Sequence, residues 1–78
     1  MNNMRTFYAH KLKLARNFHG LSLEDVGEQV AASRQYIQQL ESSAKAPSES
    51  MVSALADVLG LEENFFYIPD LSFPSEEE

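Results

Sequence analysis

Arg34, Gln35, Gln38 and Gln39 are the residues of this chain whose chemistry and spacing ask for a partner. A glutamine carboxamide presents a donor and an acceptor side by side, matched to the edge of adenine. An arginine guanidinium presents two parallel donors, matched to guanine, and the major groove of duplex DNA is wide enough to admit a helix carrying both. At a helical period these four fall with Ser42 on one side, while Tyr36, Ile37, Leu40 and the stem of Glu41 fall on the other. A face of arginine and glutamines with no acid among them suits a groove lined with phosphate. The competing account is that long polar side chains on a short helix are simply solvated, as most are.

Positioning such a face needs a buried partner, and the preceding residues supply one. In Ser22–Glu41, SLEDVGEQVAASRQYIQQLE, two short apolar-periodic segments are each opened by a serine, with only a few small residues between them. Leu23, Val26 and Val30 recur at three and four residues, the period of a buried helical stripe. Ser22 stands just ahead of them with Asp25 three residues on, a weaker form of the capping box than one closed by glutamate. Ser33 opens the second segment. Two capped segments joined by a short turn predict a helix-turn-helix.

Residues from about 12 to 67 resemble the Cro and phage-repressor type of helix-turn-helix domain, the Xre family. Arg16, Leu21-Ser22, Ser33, Ile37, Glu41, Pro47 and Gly60-Leu61 carry the resemblance. It implies an all-α, five-helix lambda-repressor-like DNA-binding domain with the helix-turn-helix at helices 2 and 3. It implies that Arg34, Gln35, Gln38 and Gln39 read bases, and that Arg16 pairs with Glu41 to tie the first helix to the third. It also sets the loop SSAKAPS along the DNA backbone, which makes Ser42, Ser43 and Lys45 candidates for phosphate contact through hydroxyl, backbone N–H and ammonium groups. Ser22 and Ser33 join them as phosphate candidates at the helix starts, and a solvated loop is the competing account. Three positions depart from the family's pattern: Gly27 stands where alanine is usual, Ala31 where glycine often makes the turn, and Ser43 where glycine usually ends the reading helix. A left-handed backbone at Ala31 or Ser43 would cost on the order of 1 kcal/mol relative to glycine.

Around this motif the chain divides into a flexible N-terminus at 1–6, a helix-turn-helix domain at 7–68 and an acidic tail or linker at 69–78. The first helix is expected from about Phe7 to Phe18 with Tyr8, Leu12 and Ala15 buried, Leu14 and Phe18 off the stripe, and Gly20 closing it. Ser48 opens a fourth helix whose inward stripe is Val52, Leu55, Ala56 and Leu59, ended by Gly60. Leu61–Tyr67 reads as a short fifth helix. Phe66, Tyr67, Ile68, Leu71 and Phe73 supply apolar surface for a homodimer, as the corresponding region of the family often does. The Phe-Phe, proline and acidic run also resemble the front end of longer bacterial regulators, so an additional domain or partner protein is a further expectation.

Composition narrows the alternatives. Seventy-eight residues make one small domain near the lower limit for an unaided core, which dimerisation would help. There is no cysteine, hence no disulfide, thiolate metal site or cysteine nucleophile. No apolar run approaches the roughly 20 residues of a membrane span, and the expectation is a cytoplasmic chain without a membrane partner. His10 and His19 lack the neighbours of a metal site, no glycine-rich phosphate loop is present, and the serines follow capping logic. No enzyme, metal or cofactor is expected. The net charge of −6 runs against a nucleic-acid partner, yet it is polarised: residues 1–46 hold all six bases and four acids, whereas residues 47–78 hold eight acids and no base. Local sign governs interactions across a Debye length of roughly 10 Å, so weak non-specific binding of duplex DNA by the modestly positive first half, with a shallow salt dependence, is expected. The other reading is a protein-interaction module of the same fold, an antitoxin or adaptor, whose acidic half meets a basic partner.

Overall fold

Three of the four described α-helices begin where a serine can satisfy the unpaired N–H groups of a first turn. In the computed structural model, which describes residues 6–69, Ser22, Ser33 and Ser48 sit in extended backbone. Their hydroxyl oxygens accept from the N–H groups of Asp25, Tyr36 and Met51 at 2.9, 3.0 and 3.1 Å. Each such cap contributes about 1 kcal/mol. The helices they open are α2 (Leu23–Gln29), α3 (Arg34–Glu41) and α4 (Glu49–Leu59). At Ser22 the box is reciprocal, because the Ser22 N–H donates to the Asp25 carboxylate at 2.9 Å. The first helix, α1 (Ala9–Phe18), starts two residues later than expected. Tyr8 is its extended N-cap and donates its N–H to the Phe66 carbonyl at 2.8 Å, which takes the Tyr8 side chain off the helical stripe and leaves it half-buried. Ala9 and Lys11 are buried instead.

All four helices end the same way. In each, a residue of positive φ at or just after the cap donates to the carbonyl three back, while the next N–H reaches the carbonyl five back, the paired bonds of a Schellman motif. Gly20 and Gly60 serve α1 and α4, with φ of 69° and 67°. Ala31 and Ser43 serve α2 and α3, with φ of 59° and 67°. The closing bonds are Leu21 to Arg16 at 3.1 Å, Ala32 to Gly27 at 2.8 Å, Ala44 to Gln39 at 2.9 Å and Leu61 to Ala56 at 2.8 Å. The two helix ends without glycine are therefore the two that bracket α3.

The core lies between α1, α2, α3 and α4 and is built from Leu12, Ala15, Val26, Ile37, Leu40, Val52, Leu55, Ala56, Leu59 and Phe66. Leu23 and Val30 pack on its edge, half-buried, and Val30 lies just past α2 as its C-cap. The expected fifth α-helix is a 3-10 helix, Glu63–Tyr67, so the described fold has four α-helices and a 3-10 turn. Five residues close too few α-type bonds to repay nucleation, and the tighter i to i+3 pattern, with Phe65 donating to Glu62 at 3.0 Å, fits the length available. Phe66 from this turn is completely buried and stacks on Phe7 with ring centroids 5.3 Å apart.

Lys11 is the one charged residue in the described core, with 8% of its surface exposed. Its ammonium donates to the carbonyls of Phe65 and Ile68 and lies 4.7 Å from the centre of the Phe65 ring. A buried ammonium needs such acceptors to offset its lost hydration. The result is a clasp between α1 and the end of the 3-10 helix.

Candidate nucleic-acid interface

The outward face of α3 is built by what lies under it. Ile37 and Leu40 are fully buried, which fixes the rotation of the helix, and Arg34, Gln35 and Gln38 are exposed on its far side. Gln39 differs from these three in being half-buried. Its backbone carbonyl also collects the N–H groups of Ala44 and Lys45, at 2.9 and 3.2 Å, and the Ser42 hydroxyl at 3.2 Å. Of the four candidate base readers, three stand together in solvent and the fourth sits at the edge where the following loop folds back.

The tilt of α3 is set from the opposite end. Arg16, in the last turn of α1, donates through Nε to Glu41 Oε2 at 2.6 Å and through a terminal nitrogen to Glu41 Oε1 at 3.0 Å. A further terminal nitrogen donates to the Leu21 carbonyl at 2.9 Å. This two-pronged geometry fixes orientation as well as distance, and the pair is largely enclosed, with 12% and 8% of the two side chains exposed. The hydrogen bond to Glu41 raises the Arg16 pKa above its ordinary value, more than partial burial lowers it, and the Glu41 charge adds to the rise. The first helix, the turn that leads into the second, and the third helix thus meet at one guanidinium.

The flanking candidates divide by what their polar groups already do. The N–H groups of Ser42, Ser43, Ala44 and Lys45 are all taken by carbonyls of α3, at 3.0, 3.3, 2.9 and 3.2 Å. Backbone N–H contact with phosphate, expected for this loop, is thereby closed off, because the same N–H groups end the helix. The exposed Lys45 ammonium and the hydroxyl of Ser43 remain on that rim. The oxygens of Ser22 and Ser33 accept from their own helices; Ser33 keeps its hydroxyl hydrogen to donate outward, whereas the Ser22 side chain also hydrogen-bonds the Asp25 carboxylate.

Phe66 is not available as dimer surface, because the core consumes its ring. Tyr67 is half-buried and Ile68 is 43% exposed, while Leu71 and Phe73 lie outside the described residues, as do most of the expected N-terminal segment and the acidic tail. Among the described residues, no group of three His, Cys, Asp or Glu is placed to hold a metal ion, and no helix is long and apolar enough to cross a membrane.

A family model described as a helix-turn-helix domain matches residues 8–64, which contain all four α-helices and the whole α3 face. This chain belongs to the helix-turn-helix domain family. The helix-turn-helix chain is similar to the DNA-binding domain of the P22 c2 repressor in solution, at 24% identity and a TM-score of 0.77 over 92% of each chain. It is similar to the P22 c2 repressor in complex with a synthetic operator, at 20% identity and a TM-score of 0.73, over 78% of this chain and 92% of that one. A third likeness is to the restriction-modification controller protein C.AhdI from Aeromonas hydrophila, at 24% identity and a TM-score of 0.73, over 76% and 89% of the two chains. At these identities the likeness speaks for the fold alone, and it meets the all-α helix-turn-helix fold expected from Arg16, Ser33 and Glu41. Among curated proteins, none gives a significant sequence match.

Proposed function

We propose that this helix-turn-helix chain is a sequence-specific DNA-binding transcriptional regulator of repressor type, which reads the major groove of duplex DNA with α3. The observation that carries the reading is the two-sidedness of that helix: Arg34, Gln35 and Gln38 exposed over Ile37 and Leu40 buried. Supporting it, the Arg16–Glu41 clamp pre-orients the exposed face, so less entropy is lost on docking. The P22 c2 repressor that shares the fold is described in complex with an operator. On this reading residues 7–68 are the binding unit, Lys45 and the hydroxyls of Ser33 and Ser43 meet phosphate, and the protein works as a cytoplasmic homodimer on paired half-sites without a cofactor.

The test is selection of a preferred duplex from a random pool, followed by substitution. Arg34→Ala or Gln35→Ala lowers affinity for the selected site by about 1–3 kcal/mol and leaves random-sequence binding nearly unchanged. An intact site preference in both variants would refute α3 as the reader. A second reading, a protein-interaction module, is favoured by the eight acids and no base among residues 47–78. It requires that no duplex be retained even at about 50 mM salt, where phosphate contacts are strongest.

A further inference from the structure

Leu14 and Phe18 of α1 are 60% and 84% exposed, and beside them runs an apolar groove of about 450 Å³ whose other walls are Leu59, Leu61 and Phe65. An exposed apolar ridge with a groove along it marks a contact surface, and neither α3 nor its phosphate rim shares these residues. At about 3.6 residues per turn, Phe18 lies about 40° round the helix to one side of Leu14 and Lys13 about 100° to the other. Phe18 lines the groove, so the exposed Lys13 stands on the flank turned away from it. Past the far wall the sign changes, because Leu61 also borders a shallow trough lined by the exposed Asp57, Glu62 and Glu63. Across this face the order is therefore base, apolar ridge, apolar groove, acid.

We propose that the groove is filled by the Leu14–Phe18 ridge of a second copy of this chain, the two copies related by a two-fold axis. Such an axis reverses the order of features in the second copy. Each ridge then lies over the other copy's groove, and each Lys13 comes to the acidic flank of the other copy. A groove bordered by acids selects a helix that is apolar on one side, basic beside it and free of acids. The sequence of α1, AHKLKLARNF, has that composition. The net charge of −6 opposes association at long range, and the pairing offsets this locally by setting opposite signs together. Because the contact uses no residue of α3, it is compatible with two reading faces in one dimer. It rests on the regulator reading for its role on paired half-sites, and it is tested without DNA so that the two can fail separately.

Sedimentation equilibrium of the full chain, from micromolar to millimolar concentration, should show a mass that rises from one copy to two. Phe18→Ser should raise the dissociation constant at least about tenfold, the effect of losing one buried aromatic side chain. Lys13→Glu should weaken the dimer, and so should Glu62→Lys, although the latter reduces the net negative charge and simple relief of repulsion would strengthen association. The double variant keeps the parent net charge and should recover the parent dissociation constant. Phe18, Lys13 and Glu62 are all exposed, so helical circular dichroism should be unchanged throughout. Three outcomes overturn the proposal. A single-copy mass at every concentration would leave the groove to a different protein, and a dimer unaffected by Phe18→Ser would place the contact elsewhere. A dimer that Glu62→Lys tightens, or that the double variant does not restore, would remove the two-fold register.

Discussion

A methyl group on Gly27 would stand 2.7 Å from the carbonyl oxygen of Ala32. The Gly27 carbonyl receives the Ala32 N–H at 2.8 Å, so the turn between α2 and α3 is folded down onto the one position of α2 that has no side chain. Gly27→Ala, which restores the residue usual in the resembled family, is expected to destabilise this chain. Overpacking against backbone costs about 1–3 kcal/mol, and the better helix propensity of alanine returns about 1 kcal/mol. A lower urea midpoint with an unchanged slope is the expected result, and a higher midpoint would mean that the turn relaxes without cost.

Ala31 and Ser43 hold left-handed backbone at the two ends of the α2–α3 unit, where α1 and α4 use glycine. Ala31→Gly and Ser43→Gly should each raise stability by about 1 kcal/mol, since glycine removes the Cβ clash but is itself costlier to order. They close different helices and share none of the closing bonds, so the gains should add to within about 0.5 kcal/mol. Thermal melts of both single variants and the double variant check this, with about 4–8 °C expected per kcal/mol in a domain of this size.

Much of this arrangement was legible in local residue patterns. Ser22, Ser33 and Ser48 mark helix starts because a cap is made within three residues, and Gly20 and Gly60 mark helix ends because positive φ favours glycine. What was not legible depends on distant partners. Lys11 looks like a surface base until the carbonyls of Phe65 and Ile68, more than fifty residues away, are seen to surround it. Tyr8 falls on a helical stripe by period, but its N–H is claimed by Phe66 before the helix begins. The polar residues of the SSAKAPS loop gave no sign that its N–H groups are consumed in ending α3, since Ser43 stands where glycine would have announced that motif.

Cutting the Arg16–Glu41 clamp should cost stability and also loosen α3. Glu41→Leu leaves a mostly enclosed guanidinium without its carboxylate, at a cost of about 3 kcal/mol. Arg16→Met in the same chain should recover part of that loss, because no unpaired charge then remains. Faster amide hydrogen exchange confined to α3 in Glu41→Leu would separate loss of orientation from general destabilisation. Equal losses in the single and double variants would contradict a coupled pair.

Asp25 contributes stability with a defined pH dependence. Its carboxylate accepts the Ser22 N–H and is also hydrogen-bonded by the Ser22 side chain, and these hold its pKa below the ordinary aspartate value of 3.8 against a small opposing effect of burial. A folded pKa below the unfolded one means the contribution is fully present above about pH 4 and is lost as pH falls through the lowered value. The stability difference between the parent chain and Asp25→Asn should therefore shrink on acidification across that window. A carboxyl NMR titration of Asp25 in Ser22→Gly, which keeps the N–H and removes the hydroxyl, should show a pKa that moves part of the way back toward 3.8.

Lys45 tests whether the rim of α3 meets phosphate. Its N–H is committed to the Gln39 carbonyl, so any contact must come from the exposed ammonium, a point charge that carries no base information. Lys45→Ala should weaken binding to selected and random duplexes by the same factor. It should also flatten the slope of log affinity against log salt by about 0.9, the value for one phosphate neutralised. Gln35→Ala should do the reverse, lowering affinity for the selected site alone and leaving the slope unchanged. A change in sequence preference caused by Lys45→Ala would place that side chain against a base edge instead, and would move the boundary of the reading surface from Gln38 out to the loop.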